Sequence, residues 1–178
     1  MSQYAHEERD PIQCLIGDYE KMVQSGQVRF LDADDFVTII DYYEQQGLAK
    51  NALNTVDYAL ASYGYAAEFH IKKAELLNAL EMEEEALENL QTAEYLEASN
   101  AQIFILKAEI LATMGREGEA LAALERAQLV AMDEQYADIC VARATVYEAS
   151  YSYDRAFQSL KNALVVQANH AEALSRIW

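Results

Sequence analysis

Three histidines and two cysteines are the residues here best suited to catalysis or metal binding, and their spacing points to neither. His6, His70 and His170 lie far apart, as do Cys14 and Cys140. No Cys/His cluster has the spacing of a metal site. No glycine-rich segment has the pattern of a phosphate loop, and no serine sits in a nucleophile elbow. His70 falls on a packing position of a helical pattern, where a partly buried, satisfied imidazole is expected. His170 falls in a connecting turn, and His6 in the polar first ten residues. Both cysteines sit in apolar helical patterns and are expected to be buried free thiols. The run Glu81, Glu83, Glu84 and Glu85 could attract a cation, but it lacks the loop geometry of a calcium site. Carboxylates in that position suit a helix N-terminus. No catalytic residue, metal ligand or cofactor is expected.

Charge narrows the partners. The chain of 178 residues has 13 basic and 30 acidic side chains, a net of -17. Phosphate backbones and anionic membrane surfaces repel such a chain, so neither is an expected partner. The start, MSQYAHEERD, is polar and lacks the apolar segment of a signal peptide. The most apolar stretch, residues 101–114, is interrupted by Lys107 and Glu109 and is too short to span a bilayer. A cytoplasmic location is expected.

The elements that would position any site are repetitive. Ala52, Ala86 and Ala120 are 34 residues apart, and Ala156 follows after 36. Ala59, Ala93, Ala127 and Ala163 keep the same register, as do Ile40, Ala74, Ala108 and Ala144. Each period reads as two amphipathic helices. In the second period Leu76, Leu77 and Leu80 mark the first helix, and Ala86, Leu87, Leu90 and Ala93 the second. Gly47 and Gly115 occupy the turn between them, where a left-handed backbone suits glycine; Glu81-Met82-Glu83 fills the same turn in the second period. Alanine at a helix crossing lets two backbones approach. Phe36, Phe104, Tyr147, Val56, Leu90, Leu124 and Leu160 fill the remaining space. A helix pair of this kind covers its apolar face only by stacking on others.

The segments FILKAEILATMGREGEALAALERA, HIKKAELLNALEMEEEALENLQTA, FVTIIDYYEQQGLAKNALNTVDYA and CVARATVYEASYSYDRAFQSLKNA resemble tetratricopeptide repeats. Departures are Ile40 at a small-residue position, Cys140 at an aromatic one, and Gly64, Ala98, Met132 and Ala168 where the family has proline. The resemblance covers residues 32–178. It implies an all-α fold, a right-handed α-α superhelical solenoid, with repeats at 33–66, 67–100, 101–136 and 137–170 and a fifth helix pair beginning at 171–178. Ahead of them, Asp10-Pro11 reads as an N-cap and first helical residue, Gly26 as a stop, and 11–26 as a helix covering the first repeat. Residues 1–10 are expected to be mobile. An array ending on Ile177-Trp178 would expose apolar surface. That suggests a fragment of a longer repeat protein or a homodimer formed through the C-terminal end.

The resemblance also implies where a ligand lies. First helices line the concave surface and would present Val37, Asp41, Ile71, Lys72, Glu75, Ile105, Leu106, Glu109, Val141, Ala142, Thr145 and Glu148. Asp41, Glu75 and Glu109 are spaced as a row of carboxylates, beside an apolar row of Val37, Ile71, Ile105 and Val141. A peptide or protein segment with basic and apolar side chains would complement both. The family's clamp for chaperone C-termini is not matched. Asp41 stands for its asparagine, Val37 for its lysine, Lys72 for a second asparagine and Leu106 for a basic residue. The expected role is a non-catalytic scaffold for protein–protein interaction. The alternatives are a self-associating structural protein, or the repeat part of a larger regulator or enzyme.

Overall fold

The structure is a computed structural model that describes residues 11–26 and 30–177. Asp10, expected to cap the first helix, His6 and Trp178 lie outside the described residues. Helices α1 (Pro11–Ser25), α2 (Ala33–Gln45) and α3 (Ala49–Ser62) belong to one compact unit, residues 1–64. The second unit, residues 65–178, holds α4 (Ala67–Ala79), α5 (Glu83–Leu96), α6 (Ala101–Thr113), α7 (Glu117–Val130), α8 (Tyr136–Ala149), α9 (Tyr153–Val166) and α10 (Ala171–Arg176). A short 3-10 turn, Asp133–Gln135, precedes α8. There is no strand among the described residues, and no helix there is long and apolar enough to cross a membrane.

In the first unit α2 is started by a reciprocal cap. The Asp35 N–H donates to the Asp32 carboxylate at 2.8 Å, and the Asp32 N–H donates to the Asp35 carboxylate at 3.2 Å. The ring of Tyr19 on α1 packs against Tyr43 on α2 and Tyr58 on α3, with centroids 6.5 and 6.2 Å apart. Such aromatic pairs contribute about 0.5–1.5 kcal/mol beyond area burial. Tyr43 donates its hydroxyl to Glu20 at 3.2 Å. Burial and the Glu20 carboxylate push that phenol up to about 12. Cys14 differs from expectation: it is exposed. α1 buries only Ile16 and Tyr19, so its solvent-facing side includes an apolar position.

The four turns inside helix pairs share one geometry. Leu48, Met82, Arg116 and Ser152 each donate their N–H to a carbonyl five residues back, at 2.8, 2.9, 2.8 and 2.8 Å. That bond requires a left-handed residue just before the donor. Gly47 and Gly115 supply it with φ of 70° and 72°, while Glu81 and Tyr151 adopt φ of 60° and 59° with a side chain present. The register alanines lie where the spacing places them. Ala52, Ala59, Ala74, Ala86, Ala93, Ala108, Ala120, Ala127, Ala144 and Ala163 have no exposed surface, nor has Ile40. Around them Phe69, Leu90, Phe104, Leu124, Ile139 and Val146 are fully buried. Burying each such side chain contributes about 1.5–3 kcal/mol relative to leaving it exposed.

Candidate protein-binding surface

The first helices carry the residues expected to meet a ligand. On α2, in the first unit, Val37 and Asp41 are half-buried. In the second unit α4 packs beside α6, and α6 beside α8. Ile71, Lys72 and Glu75 on α4 are half-buried, as are Glu109 on α6 and Thr145 and Glu148 on α8.

The apolar row changes. Ile105, Leu106 and Val141 are only 5%, 6% and 3% exposed, and Ala142 is likewise buried, so none of them is presented to a partner. α6 packs against α4, α5, α7 and α8 at once. A helix surrounded in this way buries a wider arc than one helix of a pair does. α8, against α6, α7 and α9, is covered similarly. In the second unit, Ile71 is the remaining half-exposed member of the row.

The carboxylates of the second unit are brought together, with cations among them. Lys72 Nζ lies 3.7 Å from Glu75. Glu109 sits in a crowded field. Burial raises its pKa most, Glu172 raises it further, Arg176 opposes them, and Glu75 and Asp138 add to the rise. Among the described residues no hydrogen-bond donor reaches the Glu109 carboxylate. Arg176 on α10 was not among the expected site residues. It donates to Thr145 Oγ1 at 3.1 Å, to Glu148 at 2.9 Å and to Glu172 at 2.7 Å. The signal for it was available: Arg176 lies 34 residues after Ala142, in first-helix register. His170 caps α10. Its Nδ1 accepts the Ala173 N–H at 3.2 Å, which leaves the proton on Nε2, 2.9 Å from Asp138. His70, half-buried on α4, meets Asn89 on α5 at 3.4 Å.

Tyr65 and Tyr151 are exposed. Tyr42 and Tyr63 are half-buried, and Tyr63 donates its hydroxyl to the Leu31 carbonyl at 3.0 Å while its ring meets Phe36 edge-on. No group of three His, Cys, Asp or Glu side chains among the described residues is placed to hold a metal ion.

No protein-family model matches the chain, and no curated protein matches it. Solved structures do. TTC0263, a thermophilic TPR protein of Thermus thermophilus, superposes with a TM-score of 0.74 at 19% identity, covering 93% of this chain and 88% of that one. The chain has the tetratricopeptide-repeat fold. YrrB, described as a TPR protein with an unusual peptide-binding site, superposes at 0.67 with 21% identity, over 92% of this chain and 82% of its own. Cut9, in the APC/C hetero-tetramer with Hcn1, superposes at 0.68 with 16% identity, over 93% of this chain and 35% of that one. In tetratricopeptide terms α2, α4, α6 and α8 are first helices, and α3, α5, α7 and α9 are second helices.

Proposed function

We propose that this chain is a non-catalytic module for protein–protein interaction, and that the exposed face of its first helices holds a basic segment of a partner. Glu109 carries this reading. A half-buried carboxylate with raised pKa and no hydrogen-bond donor among the described residues fits a partner's ammonium or guanidinium group, which would lower that pKa again. In the same unit Glu75 extends the acidic contacts, Glu148 and Thr145 are engaged by Arg176, Ile71 supplies an apolar contact, and Lys72 adds a cation beside Glu75. On the first unit, Asp41 and Val37 offer the same two kinds of contact. A peptide or protein partner also fits the neighbours, since YrrB is described with a peptide-binding site and Cut9 with a protein partner. Net charge of -17 disfavours nucleic acid.

Selection of a randomised decapeptide library on the full chain tests the reading. Selected peptides should carry lysine or arginine, and Glu109→Gln should weaken them about tenfold, the scale of one charge-assisted contact. Selected peptides without basic residues, or indifferent to Glu109, would overturn it.

A further inference from the structure

A second groove of the second unit lies away from the first-helix face described above. It is lined by α5, α6 and α7 and has a volume of about 790 Å³, against about 390 Å³ for the groove beside Glu75. The half-buried Leu87 gives it apolar surface, above the buried Leu111. The charges at its base are satisfied internally. Glu94 takes Lys107 at 3.3 Å and also Arg126, whose guanidinium stacks 4.5 Å from the centre of the Phe104 ring. Burial alone would raise the Glu94 pKa, but the two cations more than reverse that and hold it low. Glu94 is therefore a fixed, neutralised part of the framework.

The walls are different. Arg116 spends two hydrogen bonds, both 2.7 Å, on Glu119. Glu84 faces that pair without forming an ion pair of its own. Glu88 follows one helical turn later on α5. Among the described residues neither Glu84 nor Glu88 has a cation within salt-bridge distance. Tyr95, further along α5, is 90% exposed and also lines the groove. A tyrosine held in water gains nothing from packing, whereas its ring face attracts a cation or an aliphatic chain.

We infer that this groove is a second docking surface, distinct from the first-helix face, and that it takes a lysine- or arginine-bearing segment of a partner protein with an apolar side chain beside the charge. The cation meets Glu84 and Glu88, the apolar side chain covers Leu87, and the exposed ring of Tyr95 offers a face to either. An acidic segment or a phosphate would be repelled by the same wall. A second copy of this chain would bring its own negative charge against it.

A fluorescein-labelled heptapeptide of alternating lysine and leucine is the probe, used with the full chain. Zero-length carbodiimide coupling joins its lysines to whatever carboxylates they touch, and mass spectrometry reads the sites. Cross-links at Glu84 or Glu88 are expected. In fluorescence anisotropy, Glu84→Gln with Glu88→Gln should weaken binding about fivefold, the scale of two exposed ion pairs. Tyr95→Ala should weaken it separately, about two- to fivefold. All three positions are on an exposed surface, so circular dichroism should be unchanged. Cross-links confined to Glu75, Glu109 and Glu148 would overturn the assignment. So would affinity unaffected by these variants, no binding at millimolar peptide, or chain-to-chain cross-links at Glu84 and Glu88 in place of peptide.

Discussion

Glu81 and Tyr151 hold a backbone conformation that glycine holds at the equivalent positions 47 and 115. A side chain in the left-handed region costs about 1–2 kcal/mol. Replacement by glycine relieves that strain but adds freedom to the unfolded chain. Glu81→Gly and Tyr151→Gly should therefore each stabilise the protein by about 0.5–1 kcal/mol in urea melts. Loss of stability in both would mean the turns are held by their side chains. Glu109 makes the opposite kind of prediction, one that depends on pH. Its pKa is raised in the fold, chiefly by burial, so the folded protein binds more protons than the unfolded one just above the ordinary carboxylate range. Stability from this residue is retained below that range and is lost as pH rises through it. Glu109→Gln should raise the melting temperature by about 1–2 °C at pH 7, with the difference vanishing near pH 4. A lower melting temperature at pH 7 would show that the carboxylate is satisfied.

At the scale of elements, the alanines decide how closely helices cross. Ala108 and Ala120 are fully buried and belong to one cluster with Phe104, Leu124 and Ile139. Leucine at either position should cost about 1–3 kcal/mol through overpacking, and more if the pair separates. An unchanged melting temperature would place those alanines away from the crossing. The same elements show how far the sequence could be read. Helix pairs, the turn glycines and the register alanines were legible because each follows from a fixed spacing and a steric demand. The exposed face was less legible, because burial there depends on how many neighbours a helix has. Ile105 and Leu106 were placed on the open face by register, yet α6 touches four other helices. Its own composition, AQIFILKAEILAT, held the warning: a helix apolar almost all round is covered almost all round. Arg176 is legible only in part: its spacing from Ala142 gives the first-helix register, whereas its contacts with Thr145 and Glu148 depend on how α10 is laid, which spacing does not give.

At the scale of the whole molecule, 17 net negative charges act on any partner before contact is made. A binding site for a basic segment must therefore be separated from general attraction. The direct measurement compares three proteins on one array of basic-apolar peptides: the wild type, a variant with Asp41, Glu75 and Glu109 all changed to lysine, and a control with the exposed Glu125, Glu134 and Asp154 changed to lysine. Both variants carry the same net charge. Circular dichroism should be the same for all three, since exposed and half-exposed charges contribute little each to stability. The account predicts that the first variant loses affinity for its best peptides about tenfold or more while the control stays within about twofold of wild type. Equal losses in both variants, or no loss in either, would contradict a binding site on the first-helix face.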